Sequence, residues 1–277
     1  MIIFAIKIRK MSIREWIRSR EIEGRPTFSY EDVTKAFPSF TDQHIRNDLY
    51  RLRKSGLLAQ PYKSFYVVIP PHYAATGIVP PAYYIDQLMT YLRRPYYVCL
   101  LSAAEIAGAA HQRPQFLSIM TTPPVARIQR QTSMDWNYRN SMPNKLFLRE
   151  INTETGTIHY SCPELTALDL VQYEQHIGGL SRAATVIAEL SDQLTWSDTS
   201  TNGLLSTSTT STIQRLGYIL ENVLMNQSQA DILYKELKTL HPKLNRFPLS
   251  PHKTTTDAIL NKRWNILINT EIEIDDL

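Results

Sequence analysis

The stretch that decides the fold is Ser29–Gly56, SYEDVTKAFPSFTDQHIRNDLYRLRKSG. Ser29 sits where a helix N-cap belongs, and Asp32 three residues on makes an acidic variant of the capping box. Val33, Ala36 and Phe37 then share one face, and Pro38 closes the run. Thr41 caps a second helix, with Asp42 in the first turn, where the helix dipole favours an anion. Ile45, Leu49 and Leu52 recur at i, i+4 and i+7, so one stripe of this helix is buried. Gly56 supplies the left-handed residue that ends it.

Working outward, Ile13, Trp16 and Ile17 mark a short amphipathic helix from about Ser12, and Pro26-Thr27-Phe28 reads as an extended link. On the other side, Leu57–Gln60 and Phe65–Ile69 read as two strands around Pro61-Tyr62-Lys63-Ser64. Helix, link, helix, tight turn, helix, hairpin is the order of a winged helix-turn-helix. With Ile45 buried, about 100° per residue places Gln43, Asn47, Tyr50 and Lys54 on the opposite face, flanked by Arg46 and Arg51. Amides can pair with base edges and cations can neutralise phosphates. The start of a recognition helix usually reaches the bases, which favours Gln43, His44, Arg46 and Asn47 for readout, with Thr41 at the helix start. Tyr50, Arg51 and Lys54 fit backbone contacts, and Lys63 stands at the wing tip. The competing reading is a solvated basic helix in a winged helix that binds protein.

Charge is distributed to match. The 277 residues carry 30 Lys+Arg and 26 Asp+Glu, net +4, with 43% hydrophobic and 10% aromatic residues. Residues 1–70 hold 13 basic and 7 acidic side chains, a net of +6; residues 71–150 hold 8 and 4, a net of +4; residues 151–277 hold 9 and 15, a net of −6. A basic head suits a polyanion and the acidic remainder suits another task, although surface scatter gives such gradients too. The composition is globular, and the length suits two domains or one large one. Only Cys99 and Cys162 are present, which excludes a disulfide scaffold and a four-cysteine zinc site. No run approaches about 18 apolar residues, and Met1–Ile6 is too short for a signal peptide. A cytoplasmic protein is expected, with Met11 an alternative start.

Beyond the boundary marked by Pro80-Pro81 the pattern alternates. Tyr83–Leu92 reads as a helix, Tyr96–Leu101 as an apolar run, and Ser102-Ala-Ala-Glu105 as a capping box. Phe116–Met120 is a short strand, and Lys145–Ile151 and Thr157–Tyr160 flank a hairpin loop. Helices follow from Pro163, from a Ser181 cap, through Ile213–Val223, and from a Ser228 cap. Trp264–Ile268 reads as a terminal strand. The expected architecture is α/β (α+β): a winged helix-turn-helix over 1–75, then a mixed α/β domain over 80–277 with a flexible Ser/Thr-rich loop at 195–212.

Catalytic and cofactor patterns are missing. No phosphate loop, dinucleotide glycine motif, H-E-x-x-H or G-x-S-x-G occurs, and histidines such as His111, His159 and His176 never fall at ligand spacing. Glu236-Leu-Lys238 reads as a charged helix face, and Glu164 and Asp169 splay about 140° apart on one helix. No enzyme, cofactor or metal is expected.

Four stretches together resemble the AbiEi family, the antitoxin halves of type IV toxin–antitoxin and phage-defence systems. They are the winged head; Tyr96–Glu105 to Gly108 with Phe116–Thr122; Glu164–Val171 with Gly178-Gly179-Leu180; and Gln214–Glu221 with Arg263–Glu273. The resemblance implies a winged helix, with recognition helix Asp42–Ser55 and a wing near Lys63, that binds operator repeats in double-stranded DNA and represses its own operon. It further implies a C-terminal domain that counters a nucleotidyltransferase-like toxin. Arg127, Arg130, Arg139 and Arg149 in the basic middle segment are candidates for that second role, the alternative being solvated surface cations. Two other functions remain open: a ligand-responsive transcription regulator without a toxin partner, and a winged-helix protein-interaction module.

Overall fold

The computed structural model describes residues 11–109, 114–124, 133–196 and 203–274. The chain divides into two compact units: one runs to Arg94 and includes Asn152–Ile158, and the other holds most of the rest. Among the described residues no helix is long and apolar enough to cross a membrane.

The first unit has the winged-helix order. Helix α1 (Ile13–Ile22) is followed by β1 (Thr27–Ser29), α2 (Tyr30–Ala36), α3 (Asp42–Lys54), β2 (Leu58–Tyr62) and β3 (Phe65–Val68). The strands form an antiparallel sheet of order β1-β3-β2. Caps start all three helices: Ser12 with Glu15, Ser29 with Asp32, and Thr41, whose hydroxyl accepts from the His44 N–H. Each such cap stabilises by about 1 kcal/mol. Gly56 has φ +74°, the left-handed residue that turns the chain from α3 into the wing. Ile13, Ile17, Phe28, Val33, Ile45 and Leu49 form the core, with the Trp16 ring edge-on to Phe28 at 5.3 Å and to Phe37 at 6.1 Å. Ala36, expected inside, is exposed, because α2 ends there and Phe37 turns in instead.

Pro80-Pro81, expected to end the head, lies inside this unit. A 3-10 turn, Pro81–Tyr83, leads into α4 (Ile85–Leu92), which buries Ile85, Leu88 and Met89. Tyr91 on α4 sets its ring 5.4 Å from Phe65 and donates to the Lys63 carbonyl at 3.4 Å. The wing is therefore braced from behind by a helix that sequence reading assigned to the next domain.

The second unit is built on a five-stranded sheet of order β6-β5-β4-β8-β7, from β4 (Tyr96–Val98), β5 (Leu117–Thr121), β6 (Met134–Tyr138), β7 (Leu148–Thr153) and β8 (Gly156–Ser161), of which the hairpin end Asn152–Ile158 is counted with the first unit. Helices α5 (Leu100–Ile106), α6 (Pro163–Gln172), α7 (Glu174–Ile177), α8 (Leu180–Leu190), α9 (Thr210–Tyr218) and α10 (Gln227–Leu240) share its core. Helix α6 is buried from Pro163 through Val171. A π turn, Ile219–Val223, extends α9, and a small sheet of β9 (Phe247–Pro248), β10 (Ile259–Asn261) and β11 (Ile266–Ile268) closes the chain.

Four expectations are corrected here. Ser102 is not a cap: α5 begins at Leu100, and the Ser102 hydroxyl accepts from the Ser118 N–H at 2.9 Å, tying helix to strand. Gly179, not Ser181, precedes α8, and Asn226, not Ser228, caps α10. The Ser/Thr-rich stretch is ordered at its described end: Leu204 and Leu205 are buried, and Thr209 caps α9. Its hydroxyls do cap work and its two leucines join the core, which composition alone does not reveal. Cys99 and Cys162 are unpaired and buried; burial pushes the Cys162 thiol up to about 12 and raises Cys99 as well.

Candidate nucleic-acid interface

The predicted face of α3 is exposed among the described residues. Ile45 and Leu49 point into the core, while Thr41, Gln43, His44, Arg46, Asn47, Tyr50, Arg51 and Lys54 are exposed. Burying one aliphatic stripe fixes the rotation of the helix and so decides which side chains face water. Lys63 is exposed at the wing turn, where Ser64 takes φ +60°.

The exposed groups are arranged rather than loose. The Gln43 side-chain amide donates to Asn47 Oδ1 at 2.9 Å, placing two amides one turn apart on one face. The Arg46 guanidinium stacks over the Tyr30 ring, 4.8 Å from its centre. The Tyr30 hydroxyl donates to Asp42 Oδ1 at 3.2 Å; burial first, and then this bond, raises its pKa, so it remains a neutral donor. Asp48 pairs with His44 Nε2 at 3.4 Å and Arg51 at 3.6 Å. Exposed pairs of this kind contribute little to stability, but they restrict the rotamers presented to a ligand.

Tyr30 and Asp48 were missed by sequence reading. The spacing of His44, Asp48 and Arg51 at i, i+4 and i+7 would have exposed the second. The Tyr30–Arg46 stack joins two helices and has no sequence signature.

The other predicted cations do not gather into one site. Arg127 and Arg130 lie outside the described residues, and Arg149 is exposed on β7. Arg139 is corrected outright: it is 7% exposed and therefore no surface contact. It donates to the Tyr97 hydroxyl at 2.7 Å and to the Thr207 carbonyl at 2.7 Å, and lies 3.5 Å from Asp169 Oδ1. The Tyr97 hydroxyl in turn donates to Asp169 Oδ2 at 2.8 Å. Burial raises the Asp169 carboxyl to about 6, with Arg139 pulling it back down. Glu164 is separate, accepting from the Thr195 N–H at 2.7 Å. These bonds tie β4, β6, α6 and the Thr207 segment together.

The blocks around Gln214 and Arg263 also meet. Gly217 lies against the Trp264 ring, the Gln214 amide donates to the Trp264 carbonyl, and Glu221 accepts from the Trp264 indole and, at 2.9 Å, from Arg263.

Comparison with known proteins finds a likeness in the middle of the chain. Residues 96–222 match the model of the AbiEi antitoxin C-terminal domain. No curated protein matches the chain. Among solved structures, the crystal structure of RV2827C protein from Mycobacterium tuberculosis is similar, with a TM-score of 0.65 at 16% identity over 91% of this chain and 89% of that one. At that identity the likeness is one of fold, and it extends over nearly the whole length of both chains.

Proposed function

We propose that the chain, whose residues 96–222 match the model of the AbiEi antitoxin C-terminal domain, is a DNA-binding antitoxin. In this reading the winged head binds double-stranded operator DNA and represses the operon that encodes it. The second unit counters a nucleotidyltransferase-like toxin.

The observation that carries the DNA half is the outward face of α3, where paired amides are flanked by Arg46 and Arg51 and none of these groups serves the core. A helix so presented, with a basic wing turn beside it, fits a major groove and its phosphates. Replacing Arg46 and Asn47 together by alanine is expected to weaken operator binding by about 1–3 kcal/mol for each base that these side chains read. The melting curve should shift only slightly, since both residues are exposed and the Arg46–Tyr30 stack at such a site is worth about 0.5–1 kcal/mol. Fluorescence anisotropy on the gene's own upstream duplex checks this. If two heads contact about six phosphates, affinity falls roughly a thousandfold between 50 and 200 mM salt. Unchanged affinity in the double variant would remove α3 as the reading element, and no shift at any salt would leave a protein-binding winged helix. The toxin half is tested by co-expression with the neighbouring toxin gene: persistent growth arrest with this protein present rejects it.

A further inference from the structure

The first unit contains a groove of about 660 Å³ beside the C-terminal half of α3. Its floor is apolar, with Leu58, Ile69 and Val79 all buried. Tyr84 lines it at 3% exposure, and its phenol has no hydrogen-bond partner among the described residues. Burial alone raises its pKa, so it is a neutral donor that no acceptor among the described residues takes. Its oxygen is reached by solvent rather than sealed in the core, so a bound acceptor would take the place of water at this donor. At the rim Arg53 and Lys54 are exposed, the Lys54 ammonium lies 5.7 Å from the Tyr50 ring centre, and no Asp or Glu is among the lining residues.

We propose that this groove binds a small amphipathic anion. Its apolar body rests on Leu58, Ile69 and Val79, an acceptor atom takes the Tyr84 hydroxyl, and its charge meets Arg53 and Lys54. The volume is in the range of small-molecule sites, and the sign of the rim selects an anion. Tyr50 and Lys54 also belong to the face assigned to DNA, so ligand and duplex compete for them. That coupling rests on the DNA-binding reading; the site itself does not.

The test is a fluorescence titration of the full chain with 8-anilinonaphthalene-1-sulfonate, beside its neutral parent 1-anilinonaphthalene. One saturable site is expected for the sulfonate, with the neutral dye at least tenfold weaker. Tyr84→Phe should weaken the sulfonate roughly tenfold, as for loss of a hydrogen bond to a charged group. Ala59→Phe, which fills the groove from the half-buried Ala59, should abolish it. Far-ultraviolet circular dichroism reports whether each variant is folded, and Tyr84→Phe stands alone if Ala59→Phe is not. Absence of saturation, equal binding of both dyes, or unchanged binding in a folded variant overturns the proposal. The coupling is read separately: the sulfonate should displace the operator duplex from wild type but not from Ala59→Phe. Failure of wild type to bind any duplex would count against the DNA reading and leave the dye titration standing.

Discussion

Arg139→Ala is expected to destabilise the second unit by about 3–5 kcal/mol, the range for removing one partner of a buried ion pair. The substitution strips Asp169, 1% exposed, of its only ion-pair partner among the described residues. It also removes the donors to the Tyr97 hydroxyl and the Thr207 carbonyl. The loss should depend on pH in a definite sense. Burial raises the Asp169 carboxyl from 3.8 to about 6, so the folded state holds the proton more tightly than the unfolded chain. Stability from this group is complete below about pH 4 and is lost as pH rises through 6. Without Arg139 the carboxyl rises further, so the variant's deficit should be greatest at pH 8 and smaller at pH 5. Urea denaturation at the two pH values measures it. An equal deficit at both would mean that Arg139 acts through packing and the Thr207 bond rather than through charge.

Gly217→Ala should lower stability by about 1–2 kcal/mol net, even though alanine is the better helix former. An added methyl would overlap Cη2, Cζ3 and Cε3 of the Trp264 ring, a rigid, fully buried side chain. Overpacking of this kind typically costs about 1–3 kcal/mol, against a helix-propensity gain of about 1 kcal/mol. The upper part of the range applies because the ring is pinned: its indole donates to Glu221, and Arg263 bridges Glu221 at 2.9 Å and Asp231 at 2.5 Å. A fall in melting temperature of about 2–8 °C is expected. A variant as stable as wild type would show that the terminal hairpin can lift away from α9 at little cost.

The head was legible because its determinants are local. Caps at Ser12, Ser29 and Thr41, the Ile45–Leu49 stripe and Gly56 each act within a few residues, and together they set which side of α3 faces water. Misreadings arose where distant partners decide. Ser102 looks like a cap until the position of β5 is known, because its hydroxyl bonds a strand 16 residues away. Arg139 looks like one more surface cation until Asp169 and Tyr97, 30 and 42 residues distant, come into view. Strand β6 carries Asp135 and Asn137 in an uneven burial pattern and offers no alternation to read. The end of the head was misplaced for the same reason: Pro80-Pro81 is a strong local break, yet Tyr91 reaches back to the wing.

The two thiols have a practical corollary. Cys99 is fully inaccessible, Cys162 nearly so, and burial holds both as unreactive neutral thiols near neutrality. The native chain thus presents no competing nucleophilic sulfur, and a cysteine substituted at Lys63 would take a maleimide dye or nitroxide at one address. Spectroscopy of the wing tip, with and without a duplex, then needs no prior removal of natural cysteines.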